Sequence, residues 1–130
     1  MLNIALCDDM PVLRDILEMI IHEYETENNV QFHIDHFGSG EELIEKYREG
    51  HSNFDLLFLD NYMKKLTGIK TALFIRKYNE SCPIVFVTAS DAQHEFMAAA
   101  PLAIIGKPFK KECIFEVLDK VLTGRYRQYG

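Results

Sequence analysis

Short, uninterrupted apolar runs alternate along this chain with longer segments in which apolar residues return every three or four positions. NIALC at 3–7 is the first run; over 11–27, Leu13, Ile16, Leu17, Ile20, Ile21 and Tyr24 then hold a helical stripe behind Pro11, which suits a first turn. VQFHIDHF at 30–37 alternates as a strand does, and EELIEKYRE at 41–49 reads as a helix with Ser39 placed to cap it. The series continues with strand 56–60, helix 68–80, strand 84–89, a weaker helix at 91–100 ended by Pro101, strand 102–106 and helix 110–124, where Gly124 suits a C-terminal cap.

Five strands thus alternate with five helices. Most of the strands are apolar throughout, not at every second position, which requires burial on both faces. That predicts an α/β fold: a five-stranded parallel sheet with helices on both faces. No repeat, low-complexity tract or linker precedes residue 124, so 1–124 is expected to form one domain and 125–130 a C-terminal tail or the start of a linker. A chain of 130 residues is large enough to bury one sizeable core.

Charge and cysteine usage remove several classes of function. A net charge of −6 opposes direct nucleic-acid binding by this chain, and the basic, aromatic ending RYRQYG is too short to reverse that. The apolar runs are far shorter than a bilayer requires, so no membrane association is expected, and no signal-peptide pattern opens the chain. Cys7, Cys82 and Cys113 are odd in number and form no CxxC pair, so neither a disulfide framework nor a zinc site is expected, and the cytoplasm is the default compartment.

The chemistry gathers at the carboxyl ends of the strands, where open parallel sheets bind their ligands. Strand one ends in Asp8 and Asp9, strand three in Asp60, strand four in Thr88, and strand five in Gly106 followed by Lys107 and Pro108. Two carboxylates about 4 Å apart repel by roughly 4 kcal/mol at an effective dielectric near 20, so three want a cation between them. All-oxygen ligands favour a hard ion, and Mg²⁺ keeps positions open for water and phosphate. His33 and His36 stand three apart on a strand and so face opposite ways, which opposes a shared metal; His22, His51 and His94 show no partner nearby in sequence. Cys7 reads as a small buried apolar residue.

The acid pair in ALCDDMP, FLDNYM with Gly68 eight residues beyond its aspartate, the hydroxyl in FVTAS and the lysine in GKPF, taken in this order, resemble the response-regulator receiver domain of two-component signalling over almost the whole chain. The resemblance implies a flavodoxin-like (βα)5 fold and a phosphorylation-dependent switch, not an enzyme with external turnover. Asp60 would accept a phosphoryl group from a sensor histidine kinase. Asp8, Asp9, Asp60 and the Tyr62 backbone carbonyl would hold Mg²⁺, with Thr88 and Lys107 contacting the phosphoryl group. It further implies a cis Lys107–Pro108 bond, and a surface of helix four, strand five and helix five that changes on phosphorylation, controls a C-terminal output domain or partner, and can form a homodimer. GIKTALFIRKYNESCPIVFVTAS is similar to receivers of transcriptional regulators with LytTR-type DNA-binding domains.

The chain departs from the family pattern at three positions. Lys64 replaces a common proline, Tyr62 is bulky, and Ile104 stands where Tyr or Phe is usual, three before the lysine. With no ring at Ile104 to swing, helix four is expected to carry the change, its AAAP ending at 98–101 offering little packing to hold it. Three rival readings are a flavin electron carrier, whose phosphate CDDMP would repel; a haloacid-dehalogenase-type phosphatase, whose DxD after strand one is missing; and a phosphorylation-independent interaction module of the same fold.

Overall fold

The computed structural model describes residues 1–50, 54–89 and 93–124. Its strands are β1 (Leu2–Cys7), β2 (Phe32–Phe37), β3 (Leu56–Leu59), β4 (Ile84–Thr88) and β5 (Ala103–Gly106). Between and after them come α1 (Pro11–Asn28), α2 (Gly40–Arg48), α3 (Gly68–Arg76), α4 (Gln93–Phe96) with a 3-10 turn at Met97–Ala99, and α5 (Lys111–Thr123). The strands form one parallel sheet in the order β2-β1-β3-β4-β5. The alternation of short strands and helices accounts for the parallel pairing, because parallel neighbours can be joined only by crossovers. The tail at 125–130 and His51 lie outside the described residues.

β3 and β4 are buried along their whole length, as their continuous apolarity requires. Their alternate residues feed two separate cores. On one face Leu57, Leu59, Ile84 and Phe86 pack with Leu43, Ala72, Ile75, Phe96 and Ala99 of α2, α3, α4 and the 3-10 turn. On the other, Leu56, Phe58, Val85 and Val87 pack with Leu17, Ile21, Ile114, Val117 and Leu118 of α1 and α5. The expected α1 stripe is buried at Leu17, Ile21 and Tyr24, while Ile16 at its margin remains exposed.

The caps follow from local chemistry. Ser39 accepts a hydrogen bond from the Glu42 amide at the start of α2, and Gly124 ends α5 at φ 68°, a left-handed conformation that glycine adopts without a Cβ clash. The helix expected at 91–100 is only partly realised: α4 tightens into the 3-10 turn, and Ala100 turns left-handed at φ 49°. Pro101 accounts for this, since its ring disfavours helical backbone in the residue before it.

Candidate functional site

Asp60 follows β3, the central strand, and its backbone amide donates to the Cys7 carbonyl at 3.0 Å. Asp8 is fixed next to it in the same way, its amide bonding the Phe37 carbonyl at 3.1 Å. The Asp8 side chain folds back in an Asx turn, accepting from the Met10 amide at 2.9 Å. Lys107 follows β5, and its amide bonds the Thr88 carbonyl at 3.0 Å. Sheet register therefore brings to one edge the acids, hydroxyl and amine that the sequence placed at separate strand ends.

The geometry is tight. Carboxylate oxygens of Asp8, Asp9 and Asp60 all lie within 4.8 Å of one another. Lys107 Nζ stands 3.2 Å from both Asp8 Oδ2 and Asp60 Oδ1. Asp8, Asp60 and Thr88 are each no more than 5% exposed. Burial, reinforced by the neighbouring Asp8 charge, pushes the Asp60 carboxyl above its ordinary value, while Lys107 and the Tyr62 backbone amide pull it back. Asp60 Oδ1 is buried, and the Lys107 contact is ionic without hydrogen-bond geometry, so this oxygen has no directed partner. Three converging carboxylates with such an oxygen fit a hard divalent cation such as Mg²⁺.

Gly68 is required for this arrangement. A Cβ there would lie 2.2 Å from the Asp60 backbone oxygen, so only glycine lets the start of α3 come so close to the chain leaving β3. Asn61 ties the same loop, its Oδ1 accepting from the Ile69 amide and its carbonyl from Gly68 and Met63. The Lys107–Pro108 bond is cis. Tyr62 turns its side chain outward, 62% exposed.

A model of the response regulator receiver domain matches residues 4–119. The chain belongs to that family. The two-component response regulator ARR22 of Arabidopsis thaliana is 30% identical over 127 residues, covering 92% of this chain and 82% of the relative. The sensory transduction protein LytR of Staphylococcus epidermidis is 33% identical over 119 residues, covering 88% of this chain but only 43% of that protein. Among solved structures, the response regulator TrrA of Thermotoga maritima in complex with Mg²⁺ and beryllium fluoride is 28% identical, with a TM-score of 0.74 over 93% of this chain and 99% of that one. A five-stranded parallel sheet with helices on both faces, flavodoxin-like, is the receiver fold.

Away from the acidic edge, several sequence expectations change. His22 does have partners: its ring nitrogens meet Glu25 and Glu18, at the i+3 and i−4 helical spacings where a partner should be sought. His36 pairs with Glu18 of α1, and His33 instead lies near Asp35, so the two do face opposite ways. Cys7 is buried as expected and donates to the Ser39 carbonyl. The AAAP ending is firmly held: Ala99 is fully buried, and the Arg76 guanidinium donates to the carbonyls of Ala99 at 2.7 Å and Ala100 at 3.0 Å. Ile104 packs against the core containing Phe86, Phe96 and Ala99. Phe86 and Phe96 stack with ring centroids 4.4 Å apart, so aromatic packing in this layer joins β4 to α4. Among the described residues, no helix is long and apolar enough to cross a membrane.

Proposed function

We propose that this receiver domain is a phosphorylation-dependent switch whose acceptor is Asp60, with a sensor histidine kinase as donor and Mg²⁺ as cofactor. One observation carries the reading: a buried, strand-anchored carboxylate sits against two others and an ion-pairing lysine, with one of its oxygens lacking a directed partner. An Asp60 carboxylate oxygen bonds to phosphorus as the bond from phosphorus to the donor's imidazole nitrogen breaks, the nitrogen keeping the electron pair. Asp9, Asp60 and the Tyr62 carbonyl would hold the ion directly and Asp8 mostly through water; when bound, it supplies positive charge to the phosphoryl oxygens. Lys107 turns from its carboxylate partners to a phosphoryl oxygen. The Thr88 hydroxyl, at the end of a fully buried strand, reaches another.

The domain promotes only its own phosphorylation and dephosphorylation. Its output is a changed surface of α4, β5 and α5, read by a C-terminal output domain, a partner or a second copy in the cytoplasm. LytR, a sensory transduction protein of which this chain spans less than half, supports the reading that a further region is joined to such a receiver.

Mass spectrometry after incubation with acetyl phosphate and Mg²⁺ tests the assignment. Wild type should gain one phosphoryl group, dependent on Mg²⁺, and Asp60→Asn none. Equal labelling of the variant would remove Asp60 as the acceptor. Failure to label wild type would favour an interaction module that works without phosphorylation.

A further inference from the structure

The loop that follows the acceptor carries two exposed lysines, Lys64 and Lys65, before α3 begins. Among the described residues, Lys107 has acidic partners, whereas Lys64 and Lys65, like Lys70, Lys77 and Lys110, have none. Both line a cavity of about 270 Å³ with Asp9, Gly38, Ser39 and Glu41. Asp9 belongs to the carboxylate cluster as well, so this cavity flanks the acceptor site.

Any phosphoryl donor is an anion, and here it must approach three carboxylates on a chain whose net charge is −6. Lys107 is already engaged by Asp8 and Asp60. The positive charge that lines the cavity is that of Lys64 and Lys65. Asp9 and Glu41, lining the same cavity, balance the two lysines, so the cavity attracts an anion once a cation engages Asp9, and then only with both lysines present. We infer that Lys64 and Lys65 capture the anionic phosphoryl donor beside Asp60 and confer a preference for donors of higher negative charge. They are positioning residues, and their role rests on Asp60 being the acceptor. With acetyl phosphate, the Asp60 oxygen bonds to phosphorus, the bond from phosphorus to the acetyl oxygen breaks, and acetate departs with the electron pair; no proton is transferred.

The test compares wild type, Lys64→Gln/Lys65→Gln and Lys64→Glu/Lys65→Glu in rate of phosphorylation at saturating Mg²⁺. Acetyl phosphate is one donor; the other is phosphoramidate, whose protonated nitrogen removes one negative charge. At low ionic strength the Glu variant should react with acetyl phosphate about tenfold more slowly than wild type, with the Gln variant between them. The gap should fall below about twofold at 0.5 M salt, where the screening length is about 4 Å, and should be smaller with phosphoramidate at every salt concentration. Mg²⁺ affinity should move the other way, rising as the lysines are removed, a pairing of signs that misfolding would not produce. Rates that ignore the substitutions, or a loss that persists unchanged at high salt, would overturn the role of the lysines while leaving Asp60 in place. An unlabelled wild type would overturn both.

Discussion

Lys107 shares its ammonium between Asp8 and Asp60, two of the three carboxylates that would hold a cation. Lys107→Ala should therefore retain Mg²⁺ affinity or raise it, while phosphorylation or beryllium fluoride produces a weaker response; titrating Mg²⁺ by NMR checks this, and a collapse of affinity would reverse the assigned roles. A second prediction concerns Glu18 and His22. Hydrogen bonds from His36 and then His22 hold Glu18 below its usual value of 4.5, so its contribution to stability is present above 4.5 and is lost as pH falls through the lowered value. Glu25 and then Glu18 hold His22 above 6.5, so its contribution is complete below 6.5 and is lost as pH rises through the raised value. The difference in unfolding free energy between wild type and Glu18→Gln, read from urea titrations across pH, should peak between these values and shrink toward pH 8, its height under about 1 kcal/mol because the groups are solvated. The site acids were legible in the sequence because each directly follows an apolar run. The lysine-lined cavity was not, since three separate loops make it and no local spacing records their meeting.

Arg76 ties three segments together near the end of α3. Beyond Ala99 and Ala100, it donates to the carbonyls of Cys82 at 2.6 Å and Asn79 at 3.3 Å. These carbonyls belong to irregular backbone that no ladder satisfies, so Arg76→Met should leave several half-buried acceptors unpaired and cost about 2 to 4 kcal/mol in urea unfolding. With the 3-10 turn pinned in this way, NMR shift changes on adding beryllium fluoride should spread from Thr88 along α4 as far as Phe96 and fade at Ala99. Equal changes on both sides of Phe96 would show that the clamp releases. Strand identities were legible from their continuous apolarity; helix ends less so. α3 was expected to reach residue 80 but stops at Arg76, where the Asn79 side chain takes the amides of Ser81 and Cys82 and so competes with helical bonding. Nothing in the spacing of FIRKY revealed that its arginine would reach back to a turn more than twenty residues later.

The sheet divides the apolar interior of the described residues into two clusters, one on each face. Leu43→Ala on one face and Ile114→Ala on the other should each cost about 2 to 5 kcal/mol, and the double variant should lose the sum of the two within about 0.5 kcal/mol, as urea unfolding will show if the reduced stability still permits a two-state transition. A shortfall would mean that strain crosses the sheet. Independent faces have a consequence for inheritance. A substitution beneath α2 and α3 need not await a matching one beneath α1 and α5, so lineages can rewrite one side while the other stays fixed. Each face is then free to drift on its own clock, while the charged groups stand at the strand ends between them.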